Sequence, residues 1–229
     1  MNTPSSAAAW LPTAPTEAGE RLPLRDEAYA AIKQRIITCE FKPGGYLNEA
    51  KISLALGIGR TPVHQAIERL EQDGLVEIMP RKGIIVTALS VDTVAQIIDV
   101  RLINEPYCAM LAAERIDANE LAALHNILER TDAATSAHDT NQMMLLDREF
   151  HMAIASAARN PILASILQNL HERSLRFWFL SLTAQEQQRS VQDEHLAIAD
   201  ALQRRDRDGA TQAMRAHIES FRKNIIHRV

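Results

Sequence analysis

Cysteine is almost missing from this 229-residue chain, where Cys39 and Cys108 stand alone. Without paired spacing there is neither a zinc knuckle nor a disulfide framework, and reduced, cytoplasmic chemistry fits. Long apolar runs are missing too: no stretch reaches the roughly 18 residues of a membrane span. A positive excess is also lacking, since 25 Lys and Arg face 29 Asp and Glu for a net charge of -4. That excludes a general nucleic-acid coat. It does not exclude a specific DNA binder, because only one face of such a protein touches phosphates. Residues 1–15 lack the basic start and apolar core of a secretory signal. Rich in Ala, Pro, Ser and Thr, residues 1–20 read as a mobile leader.

Glycine then runs out. Six of the eight glycines lie between Gly44 and Gly83, and beyond them only Gly209 remains. Composition therefore changes near residue 88, from a compact unit with several turns to a helical one. Charge divides at the same place: residues 21–88 carry 10 basic and 8 acidic side chains, and residues 89–229 carry 15 and 19. The small positive balance at the N-terminal end has the sign DNA requires.

What is present is the composition of a folded protein, 46% hydrophobic and 24% charged. Ala28, Ala31, Ile32, Arg35 and Ile36 recur at helical spacing over residues 24–40, and Lys42-Pro43-Gly44-Gly45 turns the chain. A short helix is predicted over 49–56, closed by Gly57. Another runs over 61–72 with Pro62 in its first turn, a buried stripe of Val63, Ala66, Ile67 and Leu70, and a stop at Asp73-Gly74. Two extended runs, 75–79 and 84–87, flank the basic turn Pro80-Arg81-Lys82-Gly83. The order is three helices and a two-stranded wing, assigned to residues 21–88. From Ser90, a candidate cap, six helices are expected over 91–115, 118–134, 140–157, 161–181, 185–204 and 208–226. Pro106 should kink or divide the first, and Asn160 should cap the fourth. The fold class is mainly α: a winged helix-turn-helix followed by an all-helical antiparallel bundle of six helices over 89–229.

In helix-turn-helix proportions the second helix enters the major groove, so Arg60, Thr61, His64 and Gln65 lie on its leading edge. Arg can hold guanine by two hydrogen bonds, Thr can pack on a thymine methyl, and Gln can pair with adenine. Lys51, Arg81 and Lys82, with Gly83 at the wing tip, fit phosphate or minor-groove contacts. The competing reading is a solvated helix face, which the complete helix-turn-helix and wing order disfavours.

In the helical part, Asp147 and His151 stand four residues apart, about 40° apart on one helix face. His195 and His217 lie mid-helix in the last two helices. If those helices face one another, one carboxylate and three imidazoles converge, a set suited to Zn²⁺, Ni²⁺ or Mn²⁺. Spacing alone leaves open that each histidine is simply satisfied or exposed. His125, His138, His171 and His227 show no such pairing and stay unassigned. Phe177, Trp178 and Phe179 form the main aromatic cluster, expected in the core or at an interface.

Residues 47–86 resemble the winged helix of the GntR family of bacterial regulators. The resemblance rests on Leu47, Glu49, Ile52, Gly57, Ile58, Arg60-Thr61-Pro62-Val63, Ala66, Ile67, Leu70, Gly74-Leu75-Val76 and Gly83. The chain departs from that pattern at three points: Gly59 replaces a hydroxyl residue, His64 an arginine, and Gln65 a glutamate. Its half-site therefore should differ from the family's, or its binding should be weaker. Residues 90–229 resemble the FCD effector domain of the FadR-type branch, through Arg101-x-x-x-Glu105, Asp147-Arg148-Glu149-Phe150-His151, Asn160-Pro161, Glu194-His195 and Met214-x-x-His217. Six helices suggest the VanR-like subgroup.

The resemblance implies a homodimer on double-stranded operator DNA, with Asp147, His151, His195 and His217 as ligands of a divalent metal and Arg101 facing a small organic acid effector. It also implies a repressor relieved by that carboxylate rather than an enzyme. An internal Arg101–Glu105 ion pair is the alternative for Arg101. The rival functions are a metal-dependent hydrolase, which lacks a separate base because Glu149 points to another face, and a purely structural metal.

Overall fold

The computed structural model describes residues 22–181 and 185–226, without the side chains of 178–188 and 226. The leader over 1–20 and the side chains of Trp178 and Phe179 lie outside the described residues.

Helix α1 (Leu24–Ile37) buries Ala28, Ile32 and Ile36. Strand β1 (Tyr46–Leu47) follows the glycine turn and leads into α2 (Glu49–Leu56). The Asn48 side chain accepts from the Lys51 amide at 3.0 Å, and Gly57 ends α2 at φ 66°, a left-handed conformation that costs glycine nothing. Helix α3 (Arg60–Gln72) buries the expected stripe of Val63, Ala66, Ile67 and Leu70. Gly59 stands at its N-cap and offers no side-chain cap, as its lack of a hydroxyl implies. Strands β2 (Val76–Met79) and β3 (Gly83–Val86) pair antiparallel as the wing. Strand β1 was not foreseen. It adds to β3, with Tyr46 opposite Ile85, and makes the sheet order β1-β3-β2.

The bundle comprises α4 (Val91–Arg115), α5 (Ala118–Ser136), α6 (Thr140–Ala157), α7 (Pro161–Ser181), α8 (Gln185–Gln203) and α9 (Arg207–Ile226) among the described residues. Helix α4 packs on α6, α7, α8 and α9, which makes it the central element. Its burial on these sides explains why Pro106 does not divide it: α4 runs unbroken through the buried proline. A mid-helix proline costs about 3 kcal/mol, which packing of this extent exceeds. Ser90 takes the extended N-cap conformation but its hydroxyl caps nothing, and Asp92 supplies the favourable charge of the first turn instead. Asn160 does cap α7, accepting from the Leu163 amide at 3.1 Å.

Among the described residues two apolar cores result. One joins α1, α2, α3 and the wing; the other runs through the bundle around Phe150, Met144, Leu146 and Ile218. Ile37 of α1 belongs to the second, and half-buried Phe177 packs against it. Helix α1 also rests on α7, so α7 touches both halves. Among the described residues, no helix is long and apolar enough to cross a membrane.

Candidate metal centre and DNA-reading face

Helices α6, α8 and α9 bring Asp147, His151, His195 and His217 together, with one ligand atom from each lying within 4.8 Å of the others. All four side chains are buried. His151 and His217 face each other, Nε2 to Nε2, at 3.2 Å. Their outer nitrogens are both claimed by carboxylates: His217 Nδ1 lies 2.8 Å from Glu194 and His151 Nδ1 lies 3.1 Å from Glu105. An ionised carboxylate only accepts, so each Nδ1 carries a hydrogen, and Nε2 of a neutral ring so held is an acceptor with its lone pair aimed at the other ring. Two such acceptors at this distance call for a cation between them, either a proton on one ring or a metal ion.

His195 Nε2 supplies a second sign: it is buried, has no hydrogen-bond partner among the described residues and sits 3.5 Å from Asp147 Oδ1. Two nitrogens about 2.1 Å from a tetrahedral ion stand roughly 3.4 Å apart, close to these separations. The donor set therefore fits a divalent metal. Glu105 and Glu194 occupy the outer positions that commonly orient ligating imidazoles.

The charge states agree with ligation. Burial alone would raise the Asp147 pKa, but the close approach of His171, with His151 and His195 beside it, outweighs burial and holds the carboxyl below its ordinary range. Burial holds His195 well below its ordinary value, with His217 adding to that and Asp147 opposing it. Both groups thus sit in their metal-binding forms near neutral pH.

His171, unassigned from the sequence, belongs to this cluster. Its Nε2 lies 3.1 Å from Asp147 Oδ2, and its ring stands 4.4 Å from that of His151. Burial, then the charge of His151, pushes its pKa down to about 4. Same-helix spacing could not reveal it, because its partners sit on α6. A neighbouring cavity, partly open to solvent, is lined by Arg101, Asp147, His171, Ser174, His217 and Phe221, among others. Arg101 is buried on its wall. It donates from Nε and Nη2 to Glu105 and from Nη1 to Ser174 at 3.0 Å. The internal ion pair is therefore present, and Arg101 still lines the cavity. Glu149 faces away, pairing with Arg130 at 2.9 Å.

Helix α7 continues from this cluster to the winged helix. Glu172 is buried and pairs with Lys33 of α1 and, at 2.6 Å, with Arg148 of α6. Lys33 donates to the Tyr29 hydroxyl at 2.7 Å, and Tyr29 donates to Asp73, which ends α3. Asn169 donates to the Asp73 carbonyl at 3.1 Å, and Arg176 to the Thr87 carbonyl at 2.9 Å.

On the opposite side of α3, Arg60, Thr61, His64 and Gln65 are exposed, as are Lys51, Arg81, Lys82 and Gly83. Arg69 does not join them; it turns to Asp26 at 3.2 Å and stacks 3.8 Å from the Tyr29 ring. His64 Nδ1 lies 2.8 Å from Glu49 of α2.

Known proteins share both halves. Residues 24–86 match the family described as bacterial regulatory proteins, gntR family, and residues 96–220 match the FCD domain. The chain is 26% identical to the HTH-type transcriptional regulator YdhC of Bacillus subtilis (strain 168), over 87% of this chain and 89% of that protein. It is 25% identical to the HTH-type transcriptional repressor RspR of Escherichia coli (strain K12), over 93% of each. Its fold is that of E. coli McbR/YncC, with a TM-score of 0.83 at 21% identity, covering 91% of this chain and 99% of that one.

Proposed function

The chain belongs to the gntR family of bacterial regulatory proteins with an FCD domain, and from that premise we propose that it is an operator-binding repressor released by a small carboxylate metabolite. It is a DNA-binding, ligand-responsive transcription regulator and not an enzyme. We place the domain boundary at 88/89 and the chain in the VanR-like subgroup, on its six bundle helices. The repressor sense is that of RspR, carried over as part of the proposal.

The observation that carries the sensing half is the opposed pair His151 and His217, 3.2 Å apart beside an Arg101-lined cavity. Asp147, His151, His195 and His217 would hold a divalent ion. Four protein donors would fill a tetrahedral ion, so a carboxylate oxygen would join it only by expansion to five or six ligands, as Mn²⁺ or Ni²⁺ would accept. Arg101 would take the acid's second oxygen, sharing its guanidinium with Glu105 and Ser174. A ligand there presses on His171 and Ser174 of α7, and the same helix holds the winged helix through Asn169, Glu172 and Arg176. Displacement of α7 would change how freely the reading helix presents itself, and so operator affinity. Two copies would place two reading helices on a two-fold operator. Arg60, Thr61, His64 and Gln65 would meet bases, while Lys51, Arg81, Lys82 and the Gly83 turn would meet the backbone.

The full burial of the donor cluster also suits a second reading, a metal that only staples helices. One experiment separates the two. A thermal-shift screen of metabolite acids, with and without Zn²⁺, is followed by operator binding with each hit. Metal-dependent stabilisation by an acid that also lowers operator affinity supports sensing. Zn²⁺ stabilisation with no responsive acid, and operator affinity unchanged after chelation, supports the staple.

A further inference from the structure

The reading helix carries a histidine where an arginine would need no help. His64 lies in the first turns of α3, exposed, and Glu49 of α2 reaches across to it: Nδ1 and Oε1 are 2.8 Å apart. The carboxylate accepts, so Nδ1 keeps its hydrogen in both charge states of the ring. Only Nε2 changes. It sits 3.6 Å from Glu68, one turn further along the same helix. In the neutral ring Nε2 is an acceptor; in the protonated ring it is a donor. The major groove tells these apart, because guanine offers only acceptors at O6 and N7, while cytosine N4 and adenine N6 offer donors.

We propose that His64 is a proton-gated base reader, oriented by Glu49, which donates from Nε2 to a guanine in the operator only when the imidazole is charged. Glu49 is the positioning residue: it fixes the ring between α2 and α3 and stabilises the charged form. The inference rests on the DNA-reading assignment of α3. The hydrogen bond and charge of Glu49 raise the His64 pKa above its ordinary value, with Glu68 contributing in the same direction and slight burial opposing. Operator phosphates add to that rise. Glu49 and Glu68 are the charged groups that face the ring, from α2 and from α3 itself. Operator binding therefore takes up a proton. Affinity falls as pH rises between the free and DNA-bound pKa values, by at most about tenfold per pH unit for one proton.

The test uses the full chain and a random-sequence duplex DNA library, selected at pH 6 and at pH 8, followed by titration of the enriched duplex across that range. The expected result is a guanine at one position of each half-site that is enriched at pH 6 and relaxed at pH 8, with affinity falling about tenfold overall. In H64R the guanine preference persists and the pH dependence flattens. In E49Q the dependence remains but its midpoint moves to lower pH, a shift that a merely structural role would not produce. The same motif and the same pH slope in wild type and H64R overturn the proposal. Enrichment of no sequence at either pH overturns the DNA-reading assignment beneath it, and the proposal with it.

Discussion

His171 and Glu172 are consecutive on α7 and serve opposite partners. His171 Nε2 lies 3.1 Å from Asp147 in the donor cluster, while the Glu172 carboxylate pairs with Lys33 of α1 in the winged half. Both are buried, so neither contact is diluted by solvent. A rotation or shift of α7 that moved one side chain would move the other. No longer chain of contacts is needed to connect the cavity to α1 and, through Tyr29 and Asp73, to the end of the reading helix.

Substituting Lys33 by Met tests that joint. Removing one partner of a fully buried ion pair costs about 3–5 kcal/mol. Here Arg148 and Gln168 still face Glu172, so the expected loss is about 1–3 kcal/mol. Denaturant unfolding measures it. A double-mutant cycle with Glu172→Gln should give a coupling of about 1–3 kcal/mol. Operator binding should survive but lose its response to the effector. A Lys33→Met protein with unchanged stability and full effector response would sink the idea.

The same pair sets a pH dependence. Burial pushes the Glu172 pKa up, but the hydrogen bond and charge of Lys33, together with Arg148, more than reverse this and hold it below its ordinary 4.5. A carboxyl depressed in the folded state contributes stability that is complete above its unfolded pKa and is lost as pH falls through the folded one. Stability should therefore be flat in this respect above about pH 5 and should decline from there downward. In Glu172→Gln the decline should be shallower. Urea unfolding at several acid pH values reads the slope difference.

Much of this architecture was legible in the chain. Val63, Ala66, Ile67 and Leu70 repeat at helical spacing, and the structure buries all four on one face of α3. Arg101 and Glu105 were visible as partners because four residues bring them onto one helix face. Strand β1 escaped because two residues, Tyr46 and Leu47, carry no alternation to read. His171 and Lys33 escaped for another reason. Their partners lie on other helices, and no local period records a contact between elements remote in sequence. Glu194 adjoins His195 in sequence, yet its role towards His217 depends on the packing of α8 against α9.

The donor cluster yields a prediction on metal loading. Zn²⁺ added to chelator-stripped protein should raise the melting temperature, with about one ion per chain by calorimetric titration. Asp147→Ala and His195→Ala should each abolish the rise. Glu194→Gln, which leaves the four donors intact and removes only the charge behind His217, should weaken binding about 10–100-fold. His171→Ala should keep the binding stoichiometry. Equal Zn²⁺ affinity in wild type and Asp147→Ala would dismiss the four-residue site.

Helix α4 carries the prediction on assembly. Val100, Ile103 and Tyr107 are spaced three and four residues apart, so they share one face of α4, and all three are exposed, Ile103 at 72%. The other face of the same helix buries Arg101, Glu105, Cys108 and Ala109. Under the proposed binding of two copies to a two-fold operator, this apolar stripe is where a second copy would cover the helix. Ile103→Asp places a charge in the middle of the stripe without touching either core. Its folding stability should stay within about 0.5 kcal/mol of the parent, as for other exposed positions. Its sedimentation should shift from dimer to monomer at micromolar concentration. Operator affinity should then fall by about 10²–10⁴, because the second half-site no longer binds as part of the same particle. An Ile103→Asp protein that sediments as a dimer would move the interface elsewhere. A wild-type protein that sediments as a monomer at that concentration would remove the premise that two copies meet on α4.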